Sequence, residues 1–333
     1  MKTVKPMEKN AKKAASKKAK DGYIHGGGIK AVPHNLRVDI KRNKVIYILL
    51  LVILAYFIIF HYAPMFGLLM AFEKYSPAKG IFGSKWVGFK NFIDFFTGPY
   101  LWRLVRNTVC IGVIDLAITF PAPIIFALLL NEIKWKPFKK TVQTISYMPY
   151  FISSVVACGI VVMFTEAGGA ISELVAAMAG TTSTNLLNQK NLFWLIYVLM
   201  NLWQGMGYGS IIYLSALSSV DQSLYDSAVV DGANRWKQML HVTLPGIAPM
   251  ILMMLIMRMG AIFSVGADKI LLLYGPANYE FSDVINTYVY RMGIGNQSYG
   301  LSTAVGLVNS IIGTIMLLTT NKITKKLSGT SMF

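Results

Sequence analysis

Six stretches of predominantly apolar residues divide the chain, at 45–72, 104–130, 141–164, 191–217, 244–265 and 300–320. A helix needs about 20 such residues to cross bilayer hydrocarbon, where its backbone groups find no partners except one another. Each stretch is therefore read as a transmembrane helix. Pro121 and Pro123 in the second stretch and Pro149 in the third predict kinks, and shorter helices are expected near 88–96 and 171–178. Between the fourth and fifth stretches the sequence turns polar over 218–243, yet Leu224, Ala228, Val229 and Trp236 recur near helical spacing. That pattern predicts a short amphipathic helix lying along the membrane surface. Asp221 suits its N-cap, Gly232 its end or a bend, and Pro245 the first turn of the following span. The whole reads as an all-α polytopic membrane protein with six transmembrane helices. One transmembrane domain covers 44–320, a basic tail over 1–43 is expected to be disordered, and a short tail follows over 321–333.

Composition agrees with the pattern and narrows it. Of 333 residues, 54% are hydrophobic and 14% charged, which is too apolar for an ordinary soluble domain. A net charge of +17 invites a nucleic-acid partner, but 13 Lys/Arg against 3 acids fall in the first 44 residues. The excess is a tail beside a membrane span, suited to anionic lipid and to fixing orientation, and no nucleic-acid partner is expected. With the N-terminus inside, 22 Lys/Arg fall on the inner side against 9 outside. Both termini are thus expected in the cytoplasm, with 218–243 on the same side. Cys110 and Cys158 lie in apolar runs without paired spacing, and the four histidines are scattered, so neither a disulfide nor a metal centre is indicated.

Polar residues inside the apolar stretches are the candidates for function. Asn201, Gln204, Gly205 and Tyr208 stand at i, i+3, i+4 and i+7 of the fourth span and share one helical face. Facing lipid would be costly, so this face is expected to meet protein or an aqueous cavity. Amides and a phenol can exchange hydrogen bonds with a polar solute, and Trp203 or Tyr208 can stack on a solute's flat apolar face. Equally, the face can be interhelical glue, with Gly205, Gly207 and Gly209 allowing close packing. Asp115 and Arg258 lie about 11 and 8 residues from the outer ends of their spans, roughly 16 and 12 Å deep. An intramembrane ion pair or a cavity-lining role is expected of them, and Asn309 in the sixth span is a weaker candidate for the pathway.

The polar run over 225–247 resembles a loop signature of one family. Asp226, Ala228, Gly232, Leu244 and Pro245 match the pattern E-A-A-x-x-x-G-x9-I-x-L-P at the expected separations, with Asp226 in place of Glu, Ser227 in place of Ala and Val242 in place of Ile. This is the cytoplasmic loop of binding-protein-dependent ABC importer permeases. The blocks at 64–92, 283–293 and 302–310 are similar to the LplB-type group of carbohydrate permeases, which belongs with the membrane subunits of the maltose importer. The resemblance covers nearly everything after Arg37. It implies the type I (MetI-like) permease fold and import of oligosaccharides across a bacterial cell membrane. It also implies partners: a second homologous permease, two cytoplasmic ATPases, an extracellular solute-binding lipoprotein and the sugar itself. Asp226, Ala228, Gly232, Leu244 and Pro245 would then couple the chain to the ATPase. The sequence has no G-x-x-x-x-G-K-[ST] loop. ATP and magnesium are therefore expected on the partner, with no cofactor and no catalysis on this chain. A permease for another polar nutrient such as a peptide, and an ion-coupled secondary transporter, are the alternatives.

Overall fold

The computed structural model of the chain describes residues 36–264 and 266–329. The basic stretch 1–35 lies outside them, as do Val265 at the end of the fifth expected span and residues 330–333. Helices of seven residues or more are numbered below. The chain divides between Gly67 and Leu68 into two units.

In the first unit, α1 spans 36–42 and α2 spans Lys44–Phe57, continuing through a π turn at Ile58–Tyr62. The tail expected to be disordered is therefore helical at its end. Its cause is local: Asn43 Nδ2 and Tyr47 OH both donate to the Asp39 carboxylate, each at 2.7 Å. No residue of α2 is buried, although nearly all are apolar. A helix apolar on every side is suited to a lipid or protein surround rather than water.

The second unit opens with a two-stranded antiparallel ribbon, β1 (Glu73–Lys74) and β2 (Lys85–Trp86), in register Glu73 to Trp86. The remainder is helical: α3 (Lys90–Phe96), α4 (Leu101–Thr119), α5 (Pro121–Glu132), α6 (Lys136–Tyr147), α7 (Ser154–Thr165), α8 (Ala170–Ala179), α9 (Lys190–Ser218), α10 (Gln222–Val230), α11 (Leu244–Gly260), α12 (Ala267–Leu273) and α13 (Tyr299–Ser328). Among the described residues, five helical stretches are long and apolar enough to cross a membrane: Lys44–Phe72, Leu101–Glu132, Ser154–Ala179, Arg235–Gly260 and Tyr299–Lys326. The remaining expected span, the fourth at 191–217, corresponds to α9, which has 29 residues but is less apolar because Asn201, Gln204 and Ser210 interrupt it.

Two expected spans differ in detail. The stretch 141–164 is not one helix: α6 ends at Tyr147, a 3-10 turn occupies Met148–Phe151, and α7 starts at Ser154. Pro149 supplies no N–H for an α-helical bond, and Ser153 caps the new helix by accepting from Val156 N–H at 3.3 Å. The break lets the spanning stretch begin later, at Ser154. At the other end of the chain, α13 continues to Ser328 instead of stopping at 320.

Helix α9 is the axis of this unit, packing against α4, α5, α6 and α11. Phe193, Tyr197, Val198 and Met200 join Ile111, Cys158 and Ile270 in one apolar core, and Tyr213 and Leu217 join Ile124, Ala127 and Ile247 in a second. Close approach is made by small residues. A Cβ on Gly207 would fall 2.0 Å from the Ser146 carbonyl oxygen, and one on Gly313 would fall 2.8 Å from that of Gly260. These contacts draw α9 onto α6 and α13 onto α11.

Candidate functional site

A cavity of about 860 Å³ opens between α4, α9, α11, the start of α12 and the Met148–Phe151 turn. Its lining holds a chain of polar groups set among apolar ones. Arg258 Nη2 donates to Asp115 Oδ2, and also to Thr119 Oγ1 at 3.3 Å. Asp115 Oδ1 accepts from Asn201 Nδ2 at 3.0 Å, and Asn201 Oδ1 accepts from Lys269 Nζ at 2.8 Å. Four elements are thereby joined: α4, α9, α11 and α12. Asp115 is 8% exposed, whereas the Arg258 side chain is 47% exposed. Asp268 also lines the cavity, so the fixed charges of Asp115, Asp268, Arg258 and Lys269 cancel.

The other residues of the α9 face divide between the cavity and its wall. Gln204 donates from Nε2 to the Ile152 carbonyl at 2.7 Å, made accessible because the chain leaves helical geometry there. Its Oε1 is buried and has no hydrogen-bond partner among the described residues. Gly205 lines the cavity, and a Cβ added there would meet nothing within 4 Å. Tyr208 stands behind the lining, its ring stacked on Tyr150 with centroids 3.8 Å apart and planes 5° from parallel. Trp203 does not join them. Two residues on from Asn201, it projects about 200° around the helix and is 44% exposed elsewhere. Asn309 is also absent from this lining; its Nδ2 donates to Phe263 O at 3.3 Å and Asn286 Oδ1 at 3.2 Å.

The polar segment after α9 is held by caps at each turn. Asp221 accepts from Ser223 N–H at 2.9 Å and starts α10. The Ser223 backbone and hydroxyl hold its carboxyl below the usual carboxylate range. At the other end Gly232 takes φ +72°, with Gly232 N–H donating to Val229 O and Ala233 N–H to Ala228 O. That pair of bonds is a Schellman closure, and it needs the left-handed conformation a glycine adopts freely. Gly232 thus ends the surface helix, one of the two outcomes expected of it, and Trp236 falls in a separate turn at Arg235–Gln238 capped by Asn234. Asp226 stands exposed on α10, flanked by exposed Leu224, Val229 and Val230. Arg235 pairs with Glu132 of α5 at 2.9 Å, and Tyr225 OH donates to Thr243 Oγ1 at 3.0 Å. Leu244 and Pro245 then open α11.

Residues 41–329 match the family described as binding-protein-dependent transport system inner membrane component. The chain belongs to this family of permeases. Protein LplB of Bacillus subtilis is 41% identical to the permease over 295 residues, covering 88% of this chain and 92% of that protein. The polygalacturonan/rhamnogalacturonan transport system permease protein YteP of the same species is 40% identical over 292 residues, covering 87% and 91%. A chain in the crystal structure of a bacterial ABC transporter involved in import of the acidic polysaccharide alginate superposes with a TM-score of 0.81 at 38% identity, covering 88% of this permease and 99% of that chain. The permease is thus an integral membrane subunit of an ABC importer, and not itself an enzyme.

Sequence reasoning missed two groups in the permease. Lys269 and Asp268 lie beyond the fifth expected span and off the candidate α9 face, yet they line the cavity. The ensuing Ile270-Leu271-Leu272-Leu273 was the available signal, since it makes α12 a helix whose Ile270 and Leu273 are buried. The second group is a buried ion cluster in which Asp283, fully buried, receives Arg103 at 2.9 Å and Arg291 at 2.7 Å. It ties α4 to the segment before α13.

Proposed function

We propose that this permease forms half of an ATP-driven import pathway for oligosaccharides, with the cavity around Asp115, Asn201, Gln204 and Arg258 as part of the route. The observation that carries the reading is the cavity's lining: amide, hydroxyl and paired charged groups set in apolar walls. Such a lining exchanges hydrogen bonds with a polyhydroxylated solute along several directions. Relatives support the substrate class, since YteP is a polygalacturonan/rhamnogalacturonan permease and the superposed chain serves an alginate importer. The balanced charges of the cavity suit neutral and carboxylate-bearing sugars alike.

A second homologous permease completes the pathway, and two ATPase subunits carrying ATP and magnesium supply the drive. A superposed structure contains an alginate pentasaccharide-bound periplasmic protein, which supports delivery of sugar to this permease by an extracellular solute-binding lipoprotein. Helix α10, with Asp226 and Ala228 on it and Gly232 closing it, is the element that docks on the ATPase, and Leu244 and Pro245 carry its movement into α11. Both termini and α10 lie in the cytoplasm, as the excess of inner Lys/Arg favours.

Reconstitution tests the reading. The permease, its partner permease, the ATPase pair and the binding protein in proteoliposomes should take up labelled oligosaccharide only with ATP. Uptake driven by an ion gradient without ATPase would exclude it.

A further inference from the structure

The connection from α5 to α6 reads Ile133-Lys134-Trp135-Lys136-Pro137-Phe138-Lys139-Lys140. None of its four lysines makes an ion pair among the described residues, and the adjacent acid, Glu132, is occupied by Arg235. Trp135 and Phe138 stack on each other, centroids 6.1 Å apart and planes 8° from parallel, yet remain 68% and 48% exposed. Ile145 and Met148 continue the exposed apolar surface further along. On the α6 wheel Phe138 and Ile145 fall within about 20° of each other, while Lys136 and Lys140 fall within about 40° on the far side of the exposed arc. The opposite side of α6 is already used, with Ser146 against Gly207 of α9.

Placement decides what meets this surface. The segment leaves a membrane-crossing stretch at Glu132 and runs beside α9 until Ser146 meets Gly207 near the middle of that helix, so Lys134 to Lys140 fall at a membrane boundary while Ile145 and Met148 lie deeper. Exposed aromatic and aliphatic groups beside unpaired lysines at that level match the acyl edge and the phosphate layer respectively. We propose that residues 134–148 form a binding site for anionic phospholipid. Trp135, Phe138, Ile145 and Met148 enter the acyl boundary, while Lys134, Lys136 and Lys140 hold headgroup phosphates. Through the Glu132–Arg235 pair the site adjoins the segment that carries α10.

Fluorescence quenching in vesicles tests this. The full chain is reconstituted in phosphatidylcholine containing an equal mole fraction of either brominated phosphatidylglycerol or brominated phosphatidylcholine. The Trp135 contribution is taken as the difference between wild type and Trp135→Phe. Brominated phosphatidylglycerol should quench it about fivefold more strongly, the enrichment expected from roughly one effective lysine contact. The excess should vanish in Lys134→Gln/Lys136→Gln/Lys140→Gln and persist in the corresponding triple Arg variant. Equal quenching by the two lipids would overturn the proposal, as would an excess that survives the Gln substitutions. Absence of quenching by either lipid would also overturn it and point to a protein covering the surface.

Discussion

Arg258 on α11 donates to the Asp115 carboxylate on α4, two residues 143 positions apart that meet at the wall of the cavity. Asn201 takes the other carboxylate oxygen, so α9 is bound into the same contact. Neither charge is left alone in a region where desolvation makes an unpaired charge costly. Removing Asp115 alone strands Arg258 and frees Asn201; removing both charges relieves part of that penalty.

A double-mutant cycle of Asp115→Asn and Arg258→Met should therefore be non-additive. The coupling should be about 1 kcal/mol in thermal or denaturant stability, kept low because Arg258 is partly exposed and screened. Each single variant should slow sugar uptake in proteoliposomes, and the double variant should be less impaired than the product of the two effects. Strict additivity in stability and uptake would mean the contact contributes nothing.

Gly205 and Gly207, on opposite sides of α9, should behave oppositely. A Cβ at Gly207 would lie 2.0 Å from the Ser146 carbonyl, so Gly207→Ala must push α6 away and should cost about 1–3 kcal/mol. Gly205→Ala meets nothing within 4 Å, and its helix propensity favours Ala, so stability should hold or rise slightly. Thermal melting of the purified variants in one detergent checks both; equal losses would refute the distinction.

Asp283 is the least exposed charge among the described residues and is shared by Arg103 and Arg291. Asp283→Ala would leave two guanidinium groups facing a buried gap and should destabilise the fold by about 3–5 kcal/mol. Arg103→Ala, which leaves the Arg291 pair in place, should cost less. Melting curves for the two variants should rank in that order, and a harmless Asp283→Ala would show the cluster to be solvated.

Particular residues explain which parts of this structure were legible in sequence. Helix caps act within a few residues, so Asp221, Gly232 and Pro245 announced the bounds of α10 and the start of α11. The i, i+3, i+4 spacing of Asn201, Gln204 and Gly205 put them on one face, and all three line the cavity. Trp203 was chosen for its chemistry rather than its angle, and the geometry of α9 sends it elsewhere. Pro149 was read as a kink, but it marks a full break. Its consequence, a free Ile152 carbonyl that engages Gln204, depends on a helix 52 residues away. The Ile270-Leu271-Leu272-Leu273 run marks α12 as a helix with a buried face, but the bond from Lys269 to Asn201 of α9 depends on tertiary packing that no local pattern encodes.

Gly232 offers the sharpest test of the coupling segment. Its φ of +72° is a conformation that costs a residue with a Cβ about 1–2 kcal/mol, and it positions the Schellman bonds that end α10. Gly232→Asp should reorient α10 relative to the Arg235–Gln238 turn and abolish binding-protein-stimulated ATP hydrolysis in the assembled transporter, while leaving thermal stability lower by no more than about 2 kcal/mol. Asparagine tolerates the left-handed region better, so Gly232→Asn should retain a substantial part of the stimulation. The ordering Gly above Asn above Asp is the signature of a backbone requirement. If Asn and Asp were equally inactive, the cause would lie in side-chain bulk at the ATPase contact; if Asp were fully active, α10 would have no part in coupling.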